Sequence, residues 1–176
     1  MEKIEKLKKI IKREKIDGYI VPKNDEFFGE YVPYYNDRLN FISGFTGSYG
    51  FALILKDKNY LFVDGRYTLQ ANNQSGKSFK IITIPDKMPS DILKGKKLSI
   101  GFDPNLFTEK SLFIFFGKNK CEFKPIFRNL IDEVWKRKII KNKNKFYLLP
   151  NGAVSEKYRL KINKISKYLK KKKSDF

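Results

Sequence analysis

The chain has 176 residues, 41% of them apolar and 15% aromatic, too apolar for a disordered polymer and long enough to bury one core without staples. Its single cysteine, Cys121, excludes an internal disulfide framework and suits a reducing, cytoplasmic setting; no stretch has the length and apolarity of a membrane span. The net charge of +19 is uneven: residues 136–176 hold 15 Lys and Arg against Glu156 and Asp175, while the other 135 residues carry 23 basic and 17 acidic side chains. A nucleic-acid partner is not expected from that distribution, because the excess is a lysine-rich tail of the kind an AT-rich genome places at solvated positions. The charged start, Met1 to Lys6, has no apolar run behind it and does not read as a signal peptide.

In chain order, Ile4, Leu7, Ile10 and Ile11 recur with helical spacing and predict an amphipathic helix over residues 2–14. Asp17-Gly18 ends it, and Tyr19-Ile20-Val21, closed by Pro22, reads as a buried strand. Residues 23–50 are polar, aromatic and rich in glycine, with Phe41, Ile42 and Phe45 as anchors. Residues 51–55 and 60–63 flank a polar turn at Lys56 to Asn59 and predict a β-hairpin. A helix is expected from Arg66 to Asn73, a strand from Phe79 to Ile84, a short helix over 88–93 and a strand over 98–102. Thr108 is placed to cap a helix over 109–117. A last strand covers 121–126 and a short apolar helix face covers 130–135. This alternation predicts an α/β fold, a mixed β-sheet flanked by helices. Past a basic linker over 136–150, Tyr158, Ile162, Ile165 and Leu169 form an apolar stripe on a helix expected over 156–172.

With no histidine in the sequence, Ser-His-Asp and Cys-His nucleophile systems and histidine zinc sites are absent from this chain. The carboxylates of Asp25, Glu26, Glu30, Asp37 and Asp64 match no metal-ligand spacing. The loop Ser43-Gly44-Phe45-Thr46-Gly47-Ser48-Tyr49-Gly50 lacks the Gly-Lys-Ser/Thr ending of a phosphate loop. It reads as a compact turn whose glycines permit positive φ and close backbone approach. Asp64 is placed to cap the following helix while Arg66 pairs with a nearby carboxylate.

Four segments occur here in a fixed order: Glu30-Tyr31-Val32-Pro33, Asp37-Arg38-Leu39, the 43–50 loop, and Asp64-Gly65-Arg66-Tyr67-Thr68-Leu69-Gln70-Ala71. Together with Gly101-Phe102-Asp103-Pro104 and Asn129 to Trp135, they resemble the N-terminal domain of the aminopeptidase P group, the Xaa-Pro aminopeptidases of the creatinase/prolidase family. The resemblance covers residues 1–150. Two local departures are Phe28-Gly29 where the family often has His-Gln-Ser, and Leu39 where a second arginine is common.

That resemblance implies a creatinase/prolidase-type N-terminal domain over 1–135, followed by the 136–150 linker. Residues 151–176 would then be the opening helix of a second domain that breaks off. It also implies that catalysis belongs to a separate pita-bread domain holding two divalent metals, manganese or zinc. Such an enzyme releases an N-terminal residue that precedes proline. No catalytic residue, metal ligand or cofactor is assigned to this chain itself. Cleft-shaping or subunit-interface roles carry over to Arg38, Gly44, Phe45, Thr46, Gly47, Ser48, Asp64, Arg66 and Tyr67. The partners this allows are a second copy in a homodimer and a separately encoded catalytic domain. The alternatives are a stand-alone binding or oligomerisation protein and, more remotely, a basic nucleic-acid-binding protein.

Overall fold

The structure is a computed structural model that describes residues 2–117, 119–137, 145 and 147–174. It divides into two units, Met1–Ile140 and Lys141–Phe176. In the first, six strands form one sheet in the order β4-β3-β2-β1-β5-β6. They are β1 (Gly18–Pro22), β2 (Gly50–Leu55), β3 (Asn59–Asp64), β4 (Lys80–Ile84), β5 (Ser99–Phe102) and β6 (Glu122–Pro125). The β1–β2 and β2–β3 pairs are antiparallel, whereas β3–β4, β1–β5 and β5–β6 are parallel. The mixed sheet expected from the sequence is thus present.

Strand alternation divides the interior into two cores, one on each side of the sheet. Tyr19, Val21, Ala52, Ile54, Leu61 and Val63 join a cluster with residues of α1 (Glu2–Arg13), α2 (Arg38–Ser43), α3 (Thr68–Ser75) and α6 (Leu130–Trp135). Ile20, Phe51, Leu53, Leu55, Tyr60 and Phe62 join the opposite cluster, with Leu93 of α4 (Pro89–Leu93) and Phe116 of α5 (Glu109–Phe116). Thr108 caps α5 as expected: its Oγ1 accepts from the Ser111 amide at 3.1 Å, and the Ser111 hydroxyl oxygen accepts from the Thr108 amide at 3.0 Å.

Several boundaries differ from expectation for identifiable reasons. The helix expected from Arg66 opens instead as a 3-10 turn, Gly65–Tyr67, and becomes α-helical at Thr68. The Asp64 side chain accepts from the Arg66 amide two residues on, which favours the tighter turn at that end. The segment 23–50, to which the sequence assigned no element, contains α2. Asp37 caps it by accepting from the Asn40 amide at 3.0 Å, and Gly44 ends it at φ 79°. In the second unit, α7 (Tyr158–Lys171) follows a 3-10 turn, Asn151–Ala153. Most of the middle of the expected 136–150 linker, residues 138–144 and 146, lies outside the described residues.

Candidate functional site

The residues singled out in the sequence fall into two places. The first is a ridge made by the 43–50 loop, Asp64 to Tyr67, and the start of α3. Burial along the loop alternates: Ser43, Phe45 and Gly47 are inside, while Gly44, Thr46 and Ser48 face out. Phe45 is the wedge. It is fully buried and meets the Tyr67 ring edge-on, with centroids 6.0 Å apart. Gly47 lies on that wedge, where a Cβ would stand 2.2 Å from Phe45 Cζ. Of the loop glycines Gly44 takes the positive φ that the turn was read to permit. At Gly47 and Gly50 the need is close approach, to the Phe45 ring and to the Phe62 carbonyl oxygen.

Hydrogen bonds close the ridge against α3. Gln74 Oε1 accepts from the Thr46 amide at 3.0 Å, and Thr46 Oγ1 accepts from the side-chain amides of Gln70 and Gln74, both at 2.9 Å. The Ser48 and Tyr67 hydroxyls share a hydrogen bond of 2.6 Å. The Gly44 amide donates to the Asn40 carbonyl and the Phe45 amide to Ser43 Oγ, so three successive loop amides, 44 to 46, have partners within the domain. An anion would find these donors occupied. Arg66 projects beside the loop with its side chain 74% exposed, braced by Asp64 Oδ1 at 2.9 Å and lying 5.5 Å from the Tyr67 ring centroid. The hydrogen bond from the Arg66 side chain holds the Asp64 carboxyl below its ordinary range, and the same bond raises the guanidinium. Burial, then the Asp64 charge, raises the Tyr49 phenol.

The second place is interior. Arg38, at 1% exposure, donates to both oxygens of Asp132 at 2.8 Å each and to Glu26 Oε1 at 2.6 Å. Burial opposes its charge, yet the hydrogen bonds to Asp132 and then Glu26 prevail and hold the guanidinium above its usual range. Burial likewise pushes Glu26 up, but the bond from Arg38 outweighs it and leaves the carboxyl lowered. Arg137 joins from the far end of α6, donating to Asp132 Oδ2 at 3.1 Å and to the Tyr35 carbonyl at 3.3 Å. Nearby, the Lys23 ammonium donates to Asp37 Oδ2 at 2.6 Å, both side chains nearly buried. Asp103, in the turn after β5, accepts from Asn129 Nδ2 at 2.9 Å, and Asn129 caps α6. A continuous polar seam therefore runs from the 103–104 turn through α6 to Arg38 and the 23–37 segment.

Sequence reasoning named Arg38 but missed Asp103, Asn129, Asp132, Glu26 and Arg137 as its surroundings. The available signal was the pair of helix starts: Asp37 ahead of Leu39 and Ile42, and Asn129 ahead of Leu130 and Ile131, each a short polar cap before apolar residues. Chemically, the seam fixes charge and geometry inside the domain, and the ridge offers an exposed arginine and hydroxyls on a rigid base. The two-metal centre implied by the family resemblance does not fit these residues. The sequence has no histidine, and among the described residues no group of three or more Cys, Asp or Glu could hold a metal ion. No helix among the described residues is long and apolar enough to cross a membrane.

A mixed six-stranded sheet with helices on both faces defines the class as an α/β domain. The chain belongs to the creatinase/prolidase N-terminal domain family, whose model matches residues 3–126. It is 33% identical over 178 residues to a probable Xaa-Pro aminopeptidase P of Coprinopsis cinerea, a match covering 95% of this chain and 28% of that protein. A probable Xaa-Pro aminopeptidase P of Blastomyces gilchristii is 33% identical over 184 residues, covering 98% and 30%. Among solved structures, the X-prolyl aminopeptidase of Caenorhabditis elegans, a cytosolic enzyme with a di-nuclear active site, matches with a TM-score of 0.73 at 26% identity. That match covers 98% of this chain and 31% of the nematode chain. The N-terminal domain of the peptidase PepQ from Mycobacterium tuberculosis shares the fold at a TM-score of 0.57 and 18% identity, over 76% of this chain and 98% of that one. The chain spans less than a third of the length of the two fungal relatives and corresponds to their N-terminal domain.

Proposed function

We propose that this chain is the non-catalytic N-terminal module of a cytoplasmic Xaa-Pro aminopeptidase whose full-length form releases an N-terminal residue preceding proline. The observation that carries the reading is the match to aminopeptidase P relatives across 95% of this chain at 33% identity. Peptide-bond hydrolysis by two divalent metals, manganese or zinc, belongs to the catalytic domain of such an enzyme, and this chain's residues supply no step of it. Its own contribution is a rigid surface: Arg66, Tyr67, Thr46 and Ser48 on the ridge form the face that borders the substrate cleft or a neighbouring subunit. Phe45, Gly47 and the Arg38 seam hold that face in shape from beneath.

The test is an assay of the purified chain on an Arg-Pro-Pro peptide with and without manganese. No release of arginine is expected. Release that survives repurification and co-elutes with the chain overturns the reading.

A further inference from the structure

The ridge sits where β2 begins and β3 ends. At the other end of the same strands, where β2 ends and β1 and β3 begin, the surface is concave. One hollow follows α1 from Glu5 to its closing turn at Lys15 and Ile16. A second lies between the β2–β3 turn and the residues ahead of β5, Lys96 and Leu98. Asp17 and Lys56 line both, so the two meet there as one trough.

Four separate stretches of chain bring lysine to this trough. Lys9 and Lys12 come from α1, Lys15 from its closing turn, Lys56 and Lys58 from the β2–β3 turn, and Lys96 from the link between α4 and β5. All six are exposed, and among the described residues none forms an ion pair. Lys8, beside them, pairs with Glu5 at 3.8 Å, and those two charges cancel. What remains is six lysines facing Asp17 and Asp57, whereas residues 1–135 as a whole carry 23 basic and 17 acidic side chains. The positive surplus of the first unit is therefore concentrated at this end, and it is unanswered by the fold.

Such a lining suits an anionic occupant, and three features choose its kind. No arginine lines the trough, and its aromatic residue, Tyr60, is buried, so the planar fork and the stacking surface that nucleic acid uses are both missing there. The walls include Ile16, Leu55 and Leu98, an apolar concavity that a flat lipid surface does not enter. Asp17 stands exposed at the junction of the two hollows; its Oδ2 accepts from the Ser99 amide at 2.8 Å, and its Oδ1 accepts from no described residue. A phosphate chain meets that carboxylate as a like charge, while a peptide can offer it an N–H.

The geometry points to an acidic segment of polypeptide as the occupant. Its carboxylates lie against the six lysines, an apolar side chain rests on Ile16, Leu55 and Leu98, and a backbone N–H donates to Asp17. Trough and ridge stand at opposite ends of the same strands, so both can be engaged at once. This inference does not rest on the aminopeptidase reading.

The test follows the fluorescence anisotropy of a fluorescein-labelled peptide of repeating Glu-Glu-Leu added to the full chain. Binding is expected at low ionic strength and should weaken as salt is added. Lys12→Gln, Lys56→Gln and Lys58→Gln together should weaken it about tenfold, a size that three exposed ion pairs can supply. The melting temperature of that variant should match the parent, because the three side chains have no partner in the fold. Replacing Lys170, Lys171 and Lys172 by glutamine removes equal charge from the second unit and is expected to weaken binding less than about threefold. No binding to the parent, or equal losses in the two variants, overturns the inference. Asp17→Asn, which keeps an oxygen for the Ser99 amide, is expected to weaken peptide binding and to strengthen that of an oligothymidylate of equal charge. Strengthening of both makes the trough a site for any polyanion and overturns the peptide assignment. Co-sedimentation with phosphatidylserine vesicles that the trough substitutions abolish and the Lys170 to Lys172 substitutions spare also overturns it, making lipid the occupant.

Discussion

Two arginines with nearly the same sequence surroundings behave differently in the folded domain. Arg38 follows Asp37, and Arg66 follows Asp64 by two residues. Both donate to carboxylates at comparable distances, 2.8 and 2.9 Å. Arg66 does so in solvent with a local partner, where water and salt screen the attraction. Arg38 does so at 1% exposure with a partner 94 residues away, where removing one member strands the others. An Asp one or two residues ahead of an Arg therefore specifies neither burial nor role; the sequence separation of the true partner does.

The largest break in that comparison is Arg38→Ala. Leaving Asp132 and Glu26 without their buried cation, with only Arg137 still beside them, is expected to cost about 3–5 kcal/mol, lowering the melting temperature by roughly 10 °C or more in a thermal scan. Adding Asp132→Asn should recover part of the loss; a double variant no better than the single one argues that packing dominates. Next comes Gly47→Ala, which probes whether the ridge is held by packing. A methyl 2.2 Å from the Phe45 ring forces a rearrangement expected to cost about 1–3 kcal/mol, and Phe45→Leu in the same chain should relieve it.

The pH dependence sharpens the contrast further. The folded-state carboxyl of Glu26 is lowered, so its contribution is present above the unfolded-state range and is lost as pH falls through the folded value. Urea titrations across the acid range should show the parent losing stability more steeply than Glu26→Gln, and parallel curves would remove Glu26 from the seam's account. Because Glu26 is partly exposed, added salt should flatten the difference. The smallest effect belongs to Arg66→Ala. Its melting temperature should match the parent within the error of differential scanning, and a drop as large as that of Arg38→Ala would erase the distinction between the two sites.

Much of the architecture was legible because it depends on local pattern. The stripe Ile4, Leu7, Ile11 foretells α1, the 51–63 hairpin sits between two β-prone runs, and Thr108 caps α5 as its position suggested. What escaped notice depends on distance or on volume. Helix α2 has six residues, too few for a hydrophobic period to declare itself, although Asp37 and Gly44 mark both its ends. The partners of Arg38 lie on α6 and in the 23–37 segment, brought there only by the fold. The sequence allowed Gly47 either a positive φ or a close approach, and only the position of the Phe45 ring shows that it serves the second.

The 94-residue span of the Arg38–Asp132 pair also bears on the order of events during synthesis. Strands β1 to β4 and helices α1 to α3 are complete within the first 84 residues, whereas Asp132 leaves the ribosome well after them. Arg38 must therefore wait in a partly assembled sheet until α6 arrives. If the pair closes after the folding transition state, its loss appears mainly as faster unfolding. The pair is then a latch on the residence time of the finished domain.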